Sequence, residues 1–142
     1  MTAIIKKSRT FAATLAAIAL VAGLAVVPAL AHHSFTAEFD QNKPIKLTGK
    51  ITMMKWSNPH GWLYIDVTGA DGKVVNWALE TGAGNSLIRR GWRKDNLPVG
   101  KLVTVQGWQA RNGSHTANVN SVLFEDGTRL FAGSSNGNAE EK

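Results

Sequence analysis

Six segments of the chain alternate hydrophobic and polar residues with the period of two that is typical of a β-strand. They are 45–56, 62–68, 73–80, 102–111, 116–124 and 129–131. Turn chemistry separates neighbouring segments, with Asp71-Gly72 between the second and third and Asn112-Gly113 between the fourth and fifth. Gly49, in the middle of the first segment, predicts a bulge or a sharp bend there. The positions of this strand predicted to face the core are Ile45, Leu47, Ile51 and Met53.

One short segment between the third and fourth strands has helical character instead. In residues 82–91, Asn85 is predicted to cap a helix, basic residues follow at its C-terminal end, and Gly91 is predicted to end it. A second helical turn is predicted over 93–97. The order of three strands, a helix and two further strands predicts a mainly β fold. We expect a small OB-fold-like five-stranded barrel over residues 45–131, with one short helix between strands three and four.

The N-terminal third has the pattern of a secretory signal peptide. Lys6, Lys7 and Arg9 precede the uncharged apolar run 11–27, and small residues follow up to Ala31. We therefore expect residues 1–31 to be removed and the mature chain to begin at His32, in the periplasm. An uncleaved anchor helix is the alternative, because the apolar run is just long enough to span a bilayer.

Both ends of the mature chain are predicted to lie outside the β domain. Residues 32–44 form an N-terminal arm that we expect to be extended and docked on the domain, with Phe35 and Phe39 as its large apolar side chains. The composition of residues 132–142 is dominated by Gly, Ser, Asn and Glu, which predicts a disordered tail.

Charge and composition exclude several functions. The whole chain has 16 Lys and Arg residues against 10 Asp and Glu residues, but three of the basic residues lie in the leader, so the mature charge is +3. That charge does not favour nucleic acid as a partner, and we expect no stable membrane insertion after cleavage. The chain has no Cys, which excludes thiol catalysis and thiolate metal sites. Because no catalytic motif is present either, we expect a binding or accessory module for an unknown periplasmic protein or small ligand, not an enzyme.

The histidines suggest a metal site. A mature terminus at His32 would combine an α-amine with an imidazole, and His33 is its neighbour. Amine and imidazole nitrogens suit Cu(II), which leads the divalent first-row series in affinity. The other imidazoles are His60, in the turn 57–61, and His115, in the turn 112–116. We therefore consider copper a candidate cofactor, while His60 alone could equally fix its turn by a ring hydrogen bond to the loop backbone.

Aromatic and basic residues offer a different binding surface. Trp56 and Trp62 flank the histidine turn and are candidates to line a pocket, and Trp62, Tyr64 and Trp77 could form a face for stacking a sugar or a base. We nevertheless expect at least three of the five Trp residues to be buried. A protein-binding or anion-binding module without metal is the alternative function, and its candidate residues are Arg89, Arg90, Trp92 and Arg93.

Four sequence strings together resemble one family of exported bacterial proteins, domain of unknown function 6152. They are His32-His33-Ser34-Phe35, Trp56-Ser57-Asn58-Pro59-His60-Gly61-Trp62, Asn76-Trp77-Ala78-Leu79-Glu80 and Leu87-Ile88-Arg89-Arg90-Gly91-Trp92. The resemblance covers 32–131 and implies export and a single domain. It implies no catalytic role. The positions that match the family pattern are His32, His33, Asn58, Pro59, His60, Trp77, Glu80, Arg89, Arg90 and Trp92.

Overall fold

The computed structural model describes residues 35–133, and it confirms the prediction of a mainly β fold. Its elements are α1 (Phe35–Glu38), β1 (Phe39–Lys55), β2 (Gly61–Thr68), β3 (Val74–Thr81), α2 (Gly84–Arg89), the 3₁₀ helix η1 (Lys94–Asn96), β4 (Leu102–Ala110), β5 (Thr116–Phe124) and β6 (Arg129–Phe131). Within this range no helix is long and apolar enough to cross a membrane. The predicted signal peptide, His32, His33 and most of the predicted tail lie outside the described residues.

The six strands form one sheet in the order β3-β2-β1-β4-β5-β6, and neighbours in this order are antiparallel. The long β1 pairs with both β2 and β4. In addition, β3 pairs in parallel with β5, from Ala78 opposite Thr116 to Glu80 opposite Asn118. The pairing of five strands therefore forms a closed ring. β1 pairs with β2, β2 with β3, β3 with β5, β5 with β4, and β4 with β1.

The first strand differs from its prediction in extent and in phase. It begins at Phe39 instead of residue 45, directly after α1, so residues 39–44 belong to the sheet. The register with β2 shifts between Ile51 and Met53, and this bulge reverses the face of the following residues. As a result, Met54 packs against the core and Met53 is 48% exposed, so the prediction that Met53 faces inward is wrong.

Gly49 lies three residues before the bulge. It allows the backbones of β1 and β2 to approach each other closely. A Cβ atom at Gly49 would lie 2.5 Å from the carbonyl oxygen of Asp66 on β2. Any larger residue would therefore push β1 away from its partner strand.

The core lies on one side of the strands and is closed at one end by the helical segment. Its fully buried members include Leu63, Leu79, Val105 and Val119, one from each of four strands. Trp92, which follows α2, is completely buried and its Nε1 atom donates a hydrogen bond to the carbonyl of Phe131, at 3.0 Å. The segment after α2 is thereby fixed to β6.

Only two of the five Trp residues, Trp77 and Trp92, are buried, so the expectation of at least three is wrong. The other three are half-buried. Trp62 and Trp108 lie on the face of the sheet opposite the core, and Trp56 follows the last residue of β1.

The helix α2 forms where it was predicted, but its start has a different cause. Ala83 is its N-cap residue and no side chain caps it, so the predicted cap by Asn85 is wrong. The backbone nitrogen of Gly84 instead donates to the carbonyl of Ser57, at 3.0 Å. Gly91 ends the segment with a φ of 92°, a conformation that favours glycine, as predicted. The helix start is thus attached to the turn that carries His60.

Candidate functional site

Four side chains from four strands form a row across the sheet. Trp62 on β2 is the cross-strand partner of Glu80 on β3, which is the partner of Asn118 on β5, which is the partner of Trp108 on β4. Cross-strand partners project from the same face of a sheet. Leu79, next to Glu80, points into the core, so the row lies on the opposite face. We call Trp62, Glu80, Asn118 and Trp108 the outer row.

The outer row contains a buried carboxylate, although it lies away from the core. Glu80 is 8% exposed and Asn118 is 7% exposed, whereas the two Trp residues at the ends of the row are half-buried. A carboxylate that is removed from water costs free energy unless a charged or hydrogen-bonding group faces it. The placement of Glu80 is therefore unusual for a surface strand and marks the row as a candidate site.

His60 lies against this carboxylate. Its Nδ1 atom is 2.9 Å from Oε1 of Glu80, and 41% of the imidazole side chain is exposed against 10% of the glutamate side chain. The two atoms are close, but Nδ1 is buried and has no aligned hydrogen bond. The interpretation that the His60 ring bonds the loop backbone is therefore wrong.

The turn that carries His60 is held by backbone contacts on both sides. The hydroxyl of Ser57 donates to the carbonyl of His60 at 2.6 Å, which closes the turn. The peptide bond between Asn58 and Pro59 is cis, and both of these residues are exposed. The nitrogen of Gly61 donates to the carbonyl of Gly82 at 3.0 Å. These contacts fix the position of His60 relative to β3.

The first described residues lie beside the other end of the outer row. The ring of Phe35 packs edge-on against Trp108, with a centroid distance of 5.4 Å, and also contacts the ring of Phe39 at 5.6 Å. The Nε atom of Arg111 donates to the carbonyl of Thr36 at 2.7 Å. The end of the chain that leads back to His33 and His32 is thereby attached next to Trp108.

His115 has different neighbours from His60. Its ring lies edge-on to Trp77 at 5.2 Å, and its carbonyl accepts a hydrogen bond from the nitrogen of Ala78. Over residues 35–133, no three His, Asp or Glu side chains come together in a group that could hold a metal ion. The other two histidines, His32 and His33, precede the described part of the chain.

The predicted stacking face of Trp62, Tyr64 and Trp77 is wrong. Trp77 is the cross-strand partner of Ile65, which is buried in the core, whereas Tyr64 pairs with Ala78. Adjacent residues of a strand point to opposite faces. Trp77 therefore faces the core, away from Trp62 and Tyr64.

The Arg and Trp residues around α2 mostly make internal contacts. Arg90 donates through Nη1 to the carbonyl of Gly133 and lies 4.8 Å above the ring of Phe131. Trp92 is buried, and Trp56 packs edge-on against it at 6.5 Å. Arg89 is exposed and bonds only the Ser86 hydroxyl among the described residues, at 3.0 Å. Of the predicted patch, Arg89 and Arg93 face solvent, while Arg90 fastens the end of β6.

We expect Arg90→Met to lower the free energy of unfolding by about 1–2 kcal/mol, because it removes a charged hydrogen bond and a cation–π contact. The control Arg89→Met should change it by less than about 0.5 kcal/mol, as is usual for an exposed position. Urea unfolding followed by Trp fluorescence measures both. Equal losses for the two variants would contradict the internal role of Arg90.

Sequence reasoning singled out His60, Glu80 and Trp62 but not that they lie together, and it missed Asn118 as a member of the site. Asn118 reaches the row through the parallel pairing of β3 with β5. No local pattern specifies that pairing, and an Asn between the apolar residues Ala117 and Val119 is the ordinary alternation of a strand.

Comparisons with known proteins give one finding. A family model described as a family of unknown function, DUF6152, matches residues 19–119. No curated protein and no solved structure matches the chain. Since the match covers more than half of the sequence, the chain belongs to the DUF6152 family of unknown function.

Proposed function

We propose that the chain is an exported, OB-fold-like metal-binding module that holds Cu(II) at the outer row. The amine and ring of His32 and the ring of His60 are the proposed ligands, with His33 assisting. The observation that carries the proposal is the 2.9 Å contact between Nδ1 of His60 and the buried carboxylate of Glu80. Metal-binding histidines commonly place their second ring nitrogen against a carboxylate, which orients the ring and raises its basicity.

The geometry of His60 leaves one nitrogen for a metal. With Nδ1 turned to Glu80, the Nε2 atom lies on the far side of the ring, and the side chain is exposed enough for an ion to reach it. In this proposal the Glu80 carboxylate is ionised, and a negative charge beside the imidazole favours a cation at this position. Glu80 is accordingly a positioning residue in this proposal.

The first described residue lies beside the outer row, because the ring of Phe35 contacts Trp108. Trp108 is separated from Glu80 by two strand spacings, or about 10 Å. That the amine and ring of His32 meet the ring of His60 is part of the proposal.

Export and fold are parts of the same proposal. The charge pattern and the small residues before His32 support cleavage, which creates the amine ligand. The ring of strand pairings and the position of α2 between β3 and β4 support an OB-fold-like architecture. The module binds or carries the ion.

Glu80→Gln is expected to weaken Cu(II) binding about 10- to 100-fold, because it removes the charge that orients His60. The matched control is Glu125→Gln, the same change at an exposed position in the turn between β5 and β6. Isothermal titration of the protein purified from the periplasm with Cu(II) measures both. If Glu80→Gln binds as tightly as Glu125→Gln, Glu80 has no part in the site.

A further inference from the structure

We propose that a second site, beside α2, binds a small organic acid with an apolar body. The site is a pocket of about 230 Å³ whose walls are Trp56, Ile88, Trp92, Arg93 and Lys94. It lies next to the end of β1 and uses none of the proposed copper ligands, so it does not depend on the metal site.

The walls of the pocket are apolar. Trp56 is half-buried and packs edge to face, with an interplanar angle of 85°, against the completely buried ring of Trp92. Trp56 is therefore the indole ring that a ligand in the pocket can contact. Ile88 is 48% exposed, so its side chain can contact a ligand. A bound apolar group would cover these surfaces.

Two cations border the same pocket. The Nη1 atom of Arg93 donates to the carbonyls of Ile88 and Trp92, at 2.7 and 2.8 Å. These bonds hold the guanidinium in place and leave its other nitrogens free to donate. No carboxylate of residues 35–133 forms an ion pair with Arg93 or Lys94, and this includes Asp95, which follows Lys94 in the same 3₁₀ helix.

Charge and shape together select the ligand class. Two cations favour an anion, and a guanidinium matches a carboxylate in geometry. The Trp56 ring and Ile88 favour an aromatic or aliphatic group attached to that carboxylate. The pocket volume suits a small acid, such as an aryl or short-chain alkyl carboxylate.

Benzoate and hexanoate are suitable probes, with benzyl alcohol and hexanol as neutral partners of the same shape. We expect both acids to shift the indole N–H resonance of Trp56 saturably in ¹H–¹⁵N spectra of the ¹⁵N-labelled mature protein. The alcohols should bind about three- to tenfold more weakly, since they lack the charge. Equal binding of acids and alcohols, or shifts that never saturate, would overturn the proposal.

Two variants test whether the acids bind at this pocket. Lys94→Gln should weaken benzoate about threefold, whereas Lys50→Gln, at an exposed position on β1, should leave its affinity unchanged. Hexanoate should bind more tightly than acetate, which lacks the apolar chain. Ile88→Arg replaces an apolar side chain of the wall by a cationic one and should abolish that preference. If Lys50→Gln and Lys94→Gln weaken benzoate equally, the acid binds by general charge and the proposed site does not exist.

Discussion

Trp92→Ala is expected to lower the free energy of unfolding by about 3–5 kcal/mol. The indole is completely buried, and it joins the segment after α2 to β6 through its hydrogen bond to Phe131. Alanine leaves a cavity at the centre of that contact and an unpaired carbonyl on β6. Because a domain of this size has a total stability of only about 5–15 kcal/mol, the variant should lie close to unfolding at 37 °C.

Trp62→Ala is the matched control, since Trp62 is half-buried on the outer row. It should cost about 1–2 kcal/mol, because less apolar surface leaves contact with protein. Urea unfolding monitored by circular dichroism compares the two without relying on the Trp signal. If Trp92→Ala lowers the free energy of unfolding no more than Trp62→Ala does, the segment after α2 contributes little to the core.

His60→Ala is expected to weaken Cu(II) binding at least about 100-fold, more than the loss of an orienting carboxylate does. The variant removes a proposed ligand directly, while the turn keeps the backbone bonds of Ser57 and Gly61. His115→Ala is the control, because its ring contacts Trp77 on another part of the molecule.

Competition with a copper chelator of known affinity measures the Cu(II) dissociation constants of both variants. Loss of binding in His115→Ala but not in His60→Ala would move the site to the other histidine turn. An unfolding curve for each variant separates loss of the ligand from loss of the fold.

Much of the strand pattern was predictable because alternation and turn chemistry are local. The turns at Asp71-Gly72 and Asn112-Gly113 separate strands as predicted, with φ values of 78° and 75° at the two glycines. The strand 116–124 has the predicted bounds. Such turns and strand bounds depend on a few adjacent residues, and they can therefore be predicted from the local sequence.

The errors in the fold came from non-local contacts. A period of two continued through residue 52 predicts that Met53 faces inward, but the register with β2 shifts at that point. The local pattern predicts a cap by Asn85, but the carbonyl of Ser57, in a distant turn, accepts the hydrogen bond from Gly84 at the helix start. In both cases a contact between residues distant in sequence, and not the local pattern, determines the structure.

The candidate site could be predicted only as separate residues. His60 and Glu80 were both singled out, but the distance between them depends on how the turn after β1 lies on β3. Asn118 joins them through a parallel pairing of strands that are far apart in sequence. Burial of Glu80 on the face opposite the core is likewise a property of the assembled sheet.

The most direct test of the metal site is an electron paramagnetic resonance spectrum of the Cu(II)-loaded protein, purified from the periplasm with its native terminus. The same spectrum is recorded for a variant with one Ala inserted before His32. The proposal predicts one copper per chain and hyperfine splitting from several nitrogen ligands, present with the native terminus and lost in the extended variant. Identical spectra from the two proteins, or binding no tighter than that of a free His-His peptide, would contradict it.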